Sequence, residues 1–154
     1  MKAAPRRVRP GISDKKIRIV GLSSPMRHAL AGLAQLGLEP GRPRRAEEVA
    51  RRGGIPAAAL SKIFQRLARR GLLQARRGPG GGYRLARPPE RMRLSLVVDA
   101  AGGLEGRRGR CLLEERPCGG RRRCALHGPG QTAERRLRRA LERLSVADLA
   151  RPGG

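Results

Sequence analysis

Residues 44–89, RRAEEVARRGGIPAAALSKIFQRLARRGLLQARRGPGGGYRLARPP, constrain the fold more than any other part of the chain. Ala46, Val49 and Ala50 recur at helical spacing and stop at Gly53-Gly54, which predicts a short helix from about Arg45 to Arg52. A second helix is expected from Pro56, with Leu60, Ile63, Phe64 and Leu67 at i, i+3, i+4 and i+7, ending at Gly71. Two helices joined by a tight glycine turn make a helix-turn-helix. Periodicity alone does not separate that motif from an ordinary helical hairpin.

The residues after Gly71 separate the two. Leu72 and Leu73 lead to Arg76 and Arg77, then to the turn Gly78-Pro79-Gly80-Gly81-Gly82, then to Tyr83, Leu85 and a proline stop. Two short strands around a glycine-rich turn predict a β-hairpin, and a hairpin directly behind a helix-turn-helix is a wing. As a bare surface turn the segment needs no partner. Arginines leading into glycines without side chains also let the backbone approach phosphates while guanidinium groups enter a minor groove. GPGGG lacks the Gly-Lys-Ser/Thr that completes a phosphate-cradling nucleotide loop, and it precedes a strand.

The flanks complete a mostly α (α+β) plan for one small domain with an appended helix. Residues 1–16 carry Pro5, Pro10 and Gly11 without periodicity and are expected to form a disordered basic arm, with order beginning near Ile17. Ser24 before Pro25 predicts the cap of a first helix in which Ala29, Leu30, Leu33 and Ala34 repeat at helical spacing and which ends by Gly37. The winged helix-turn-helix is placed at 17–90, and a linker helix with a cysteine loop at 91–130. That linker helix is expected from near Ser95 to Gly102. A long helix from Gln131, with Leu137, Ala140, Leu141 and Leu144 on one face, occupies 131–150 with a short closing segment. Its stripe can pack on its own domain or on the same helix of a second copy, and the second is favoured because paired helix-turn-helix units reach two half-sites.

Charge narrows the partners. The 154 residues hold 36 Lys+Arg against 12 Asp+Glu, a formal +24, which favours a polyanion, nucleic acid first. Nearly all of that excess is arginine, and with abundant Ala, Gly and Pro it points partly to a GC-rich genome. Phe64 and Tyr83 are the only aromatics, so the stacking platforms that grip single strands are missing and a duplex is expected. A non-specific basic nucleic-acid-binding protein is the charge-only alternative. No apolar run approaches the roughly 18 residues of a membrane span, and a cytoplasmic location without membrane contact is expected. No nucleophile-base constellation, nucleotide fingerprint or paired carboxylates support an enzyme or a small-molecule substrate.

All three cysteines, Cys111, Cys118 and Cys124, lie in RCLLEERPCGGRRRCALH, with His127 three positions after the last. An odd, clustered set fits a metal or redox site in a reduced compartment better than a disulfide framework. Thiolates are soft ligands suited to iron-sulfur clusters, copper(I) or zinc, and Arg110, Arg121, Arg122 and Arg123 surround them with positive charge. Intervals of six and five residues are loose for a zinc knuckle, which usually has about two to four, and suit a larger object wrapped by a loop. A structural zinc site, or no metal at all, is the alternative.

GIPAAALSKIFQRLARRGLLQARRGPGGGYRLARPPE, then LSLVVDA, then the three-cysteine loop and the closing LSVADL, resemble the Rrf-two family of bacterial winged helix-turn-helix transcriptional regulators over about Ile17 to Ala150, with RGPGGGY the most specific stretch. The resemblance implies a homodimer joined by its long C-terminal helix and bound to double-stranded operator DNA. It also implies an iron-sulfur cluster, 2Fe-2S or 4Fe-4S, that reports iron, redox or nitric oxide status. Cys111, Cys118 and Cys124 are its expected ligands, with His127 the candidate fourth because some relatives place a histidine at that spacing. Some relatives instead take an aspartate from near the start of the first helix, which falls at Ser24 here, a poor iron ligand; Pro25 stands where relatives often carry tyrosine. The expected DNA contacts are Ala57, Ala58, Ala59, Ser61 and Lys62 at the start of the recognition helix, Arg66 further along it, and Arg76, Arg77, Gly78, Gly80, Gly81 and Tyr83 in the wing. Small side chains there read base edges poorly, so shape readout is expected to carry more of the specificity.

Overall fold

The computed structural model describes residues 22–103, 118 and 123–151. The basic arm at 1–16, the expected onset of order near Ile17, and Cys111 lie outside the described residues.

Helix α1 (Ser24–Gly37) buries Met26, Ala29, Leu30, Leu33 and Leu36. Its cap is Ser23, one residue before the expected Ser24: Ser23 keeps extended backbone and its Oγ accepts the Met26 amide at 3.4 Å. Pro25 has no amide to offer a cap, so Met26 is the first donor within reach. The Ser24 hydroxyl accepts instead from the Arg27 guanidinium at 3.0 Å.

Helix α2 (Ala46–Gly53) turns in Ala46, Val49 and Ala50 and ends on Gly54, whose φ of 61° is a left-handed conformation that favours glycine. Helix α3 (Ala57–Arg69) presents Leu60, Ile63, Phe64 and Leu67 to the core. It meets α1 closely at Gly32, where an added Cβ would stand 2.8 Å from Leu60 Cδ1 and 2.9 Å from Phe64 Cε1. Strands β1 (Leu73–Arg76) and β2 (Gly82–Leu85) pair antiparallel with Leu73 opposite Leu85 and Arg76 opposite Gly82. The arrangement α2, tight turn, α3, hairpin is a winged helix-turn-helix.

A short 3-10 turn at Pro89–Arg91 leads to α4 (Leu94–Ala100), which buries Leu94, Val97 and Val98. It starts one residue before the expected Ser95 and is capped at Ala101 rather than running to Gly102. Helix α5 (His127–Arg143) starts four residues before the expected Gln131, through Gly128, Pro129 and Gly130. The first turn of a helix has amides without intrahelical acceptors, so a proline there removes no bond. The expected stripe on α5 is uneven: Leu141 is buried, Leu137 half-buried, and Ala140 and Leu144 exposed. A further short helix, α6 (Val146–Ala150), closes with a reciprocal cap between Ser145 and Asp148 and packs on α1. Among the described residues no helix is long and apolar enough to cross a membrane.

Candidate nucleic-acid interface and cysteine segment

The exposed side of α3 begins with Ala57 and Ala58; Ala59 and Ser61 are half-buried and Lys62 is exposed. The opposite side of the same helix carries the apolar row, so these five residues face away from the core because Leu60, Ile63 and Phe64 face into it. Their small size leaves the helix backbone free to approach a surface closely, with Lys62 the single long cation of the first two turns.

The wing projects Arg76, Arg77, Gly78, Pro79 and Gly80 into solvent. Gly78 and Gly80 have φ of 88° and 69°, and the Gly81 amide donates to the Gly78 carbonyl at 3.0 Å. Gly81 itself is buried, and a Cβ there would collide with the Arg76 carbonyl oxygen, so its role is to let the turn close. Tyr83 is half-buried; its ring meets Phe64 edge-on at 5.2 Å between centroids, which ties the wing to α3.

Sequence reasoning missed the support behind the wing. The Arg44 amide donates to the Tyr83 carbonyl at 2.9 Å, and the Arg44 carbonyl accepts from the Tyr83 amide at 2.8 Å, so β2 has a hydrogen-bonded neighbour on its outer edge. Gly82 is pressed against that backbone, where a Cβ would collide with the Arg44 carbonyl. The Arg44 side chain is 2 % exposed and donates to Glu39 and Glu48; Glu48 also pairs with Arg52 at 3.2 Å. Partial desolvation pushes the Glu39 carboxyl up, but the Arg44 charge and hydrogen bond, with Arg42 adding to them, hold it below its ordinary range. Arg44 and Glu48 lie four apart across the start of α2, a spacing visible in the sequence. Nothing local marks Arg44 as buried, because the strand its backbone pairs with lies far along the chain.

Arg66, expected at DNA phosphate, donates through Nη1 to the Ala101 carbonyl at 3.1 Å. In the cysteine segment Cys118 is buried and its Sγ accepts the Cys124 amide at 3.4 Å. Cys124 is half-buried, and its carbonyl accepts the amide of half-buried His127, the first residue of α5. Among the described residues no three His, Cys, Asp or Glu side chains stand together as a metal cage, and the third thiol, Cys111, lies outside them. The donor set nonetheless suits a soft metal: one thiol is withdrawn from water, and a backbone amide is aimed at its sulfur, the hydrogen bond that tunes thiolate-bound clusters.

The family model described as Rrf2, iron-dependent transcriptional regulator, matches residues 22–152. IscR of Aliivibrio salmonicida, an HTH-type transcriptional regulator, is 28% identical over 135 residues, which cover 83% of this chain and 76% of that protein. IscR of Cereibacter sphaeroides is 49% identical over 53 residues, and there the chain spans only 34% of the relative. Among solved structures, T. potens IscR matches with a TM-score of 0.65 at 18% identity, covering 84% of this chain and 85% of that one. Staphylococcus aureus CymR matches with 0.66 at 19%, covering 86% and 99%.

Proposed function

The chain belongs to the Rrf2 family of transcriptional regulators, and from that premise we propose that it is a homodimeric, operator-binding repressor or activator whose loop thiols hold an iron-sulfur cluster as a sensor. In this reading the start of α3 enters a major groove with Ala57, Ala58, Ala59, Ser61 and Lys62. Arg76 and Arg77 reach phosphates and the minor groove from the wing. Arg44 and Tyr83 hold the wing at its angle to α3. Half-buried Leu137 of α5 and exposed Leu144 just past its end meet the same helix of a second copy.

Cys111, Cys118 and Cys124 would hold the cluster, with His127 at the start of α5 the candidate fourth ligand. A cluster so held supplies reversible sensitivity to iron, oxidants or nitric oxide. The observation that supports this most is the buried Cys118 sulfur receiving the Cys124 amide, which joins two of the three thiol-bearing residues at the root of α5.

Protein purified without oxygen should be coloured and contain iron and sulfide, and Cys118→Ser should bleach it. Colourless protein with stoichiometric zinc would remove the sensor and leave a structural metal. Binding to random and selected duplexes across a salt series tests the other half. A regulator keeps its preference at raised salt, whereas a charge-driven packaging protein loses affinity steeply for all sequences alike.

A further inference from the structure

The two ends of α4 are held in different ways. Its start is bound to the end of α5: the Leu94 amide donates to the Leu144 carbonyl at 2.9 Å, the Val146 amide to the Met92 carbonyl at 2.9 Å, and Arg93 Nη1 to the Arg143 carbonyl at 2.7 Å. Its far end carries the Ala101 carbonyl that Arg66 of α3 grips at 3.1 Å. The backbone then passes through Gly102 (φ 128°) and Gly103 (φ 65°), two conformations that L side chains rarely adopt, and enters the cysteine segment. That segment rejoins the described fold at α5, whose end returns to the start of α4. A change within the segment therefore cannot easily move the start of α4. The segment's junctions with the described fold are the Ala101–Gly103 turn, where Arg66 is attached, and the start of α5.

We propose that Arg66 is a positioning residue that carries the state of the cysteine segment to the recognition helix through the Ala101 carbonyl. The inference rests on the reading that this segment holds a cluster. Arg66 lies one turn beyond Lys62 on a helix of 13 residues, so its anchor on the Ala101 carbonyl adjoins the groove-facing turn. A guanidinium spans the gap between α3 and this carbonyl; the shorter ammonium of lysine keeps the charge without the same reach.

The test compares wild type, Arg66→Lys and Arg66→Ala, each with its iron-sulfur content intact and after chelation, on a duplex that the wild type selects from random DNA. Wild type should bind the two ways with a ratio in the usual allosteric range, roughly 5–150-fold, and both variants should bring that ratio within about threefold while retaining colour and iron. Hydrogen exchange at the Gly103 amide, which donates to Val98 at 2.8 Å, should quicken in both variants. Unchanged exchange there would overturn the proposal. So would the signature of a bond to DNA phosphate: Arg66→Lys behaving as wild type, and Arg66→Ala weakening both forms equally with a salt slope lower by about 0.9 for each phosphate no longer neutralised. If loaded and stripped wild type bind alike, the sensor reading fails and the relay with it. If wild type discriminates and the variants discriminate equally, only the relay fails.

Discussion

Arg44→Met should destabilise the protein less than Glu48→Ala, although it removes the residue on which the ion pairs converge. The Arg44 side chain is 2 % exposed, while its partners Glu39 and Glu48 keep 44 % and 32 % of theirs in solvent. Each of its two charge-assisted hydrogen bonds is worth about 1.5–3 kcal/mol. Against them stands the desolvation of a guanidinium, several kcal/mol, and a buried Nε with no hydrogen-bond partner, which costs about 1–3 kcal/mol. These contributions nearly cancel. Methionine keeps the apolar stem and removes both sides of the balance, so the expected loss is under about 2 kcal/mol. Glu48→Ala keeps the buried cation and removes one acceptor, and the expected loss is about 3 kcal/mol. Urea unfolding at neutral pH measures both, with an unchanged slope confirming that only the native state moved. If Arg44→Met proved the more damaging variant, burial would not offset pairing at this site.

Gly81→Ala sets a Cβ against the Arg76 carbonyl; it should weaken binding to a selected duplex about tenfold or more, by displacing Arg76 and Arg77, while the unfolding midpoint shifts little because the wing tip lies outside the core, as a paired mobility-shift and urea titration would reveal. Phe64→Leu should lower stability by about 1.5–3 kcal/mol, through the smaller side-chain volume and removal of the edge-on packing against Tyr83, and should weaken DNA binding beyond what its unfolded fraction explains. Asp148 is held below its ordinary value of 3.8, first by the Ser145 amide and then by the Ser145 hydroxyl, against a partial desolvation that raises it and with Arg151 and Arg93 adding to the lowering. Because the folded value is the lower one, its stabilisation is complete above the unfolded value and is lost as pH falls through the folded one. Asp148→Asn should therefore flatten the stability profile below about pH 4 and leave its shape above pH 6 unchanged, which thermal melts across an acid series would record.

The helices of the DNA-binding half are legible because their apolar residues repeat at 3.6 and glycine ends each one. Ala46, Val49 and Ala50 in α2, and Leu60, Ile63, Phe64 and Leu67 in α3, are the residues found buried. Helix ends are less legible where two candidate signals compete. Ser23 and Ser24 both offer a hydroxyl before Pro25, and only the three-dimensional path decides which one faces the Met26 amide. The early start of α5 is hidden because Gly128-Pro129-Gly130 reads as a loop, while a helix's first turn tolerates all three.

Two arginines mark the same boundary at the level of side chains. Arg44 and Arg66 look alike in a chain with 36 cationic residues. One is buried against Glu39 and Glu48 with its backbone bonded to Tyr83 of the wing; the other grips a carbonyl 35 positions further along the chain. Which charges a fold encloses depends on contacts between residues far apart in sequence, and local patterns carry no record of them. The amino-acid sequence on its own determined the order of helices and hairpin, the glycines that terminate them, and the grouping of three thiols beside His127. Tertiary structure alone decided which backbone the wing leans on, which guanidinium joins α3 to α4, and which sulfur leaves water, because burial and pairing arise only when separate elements meet.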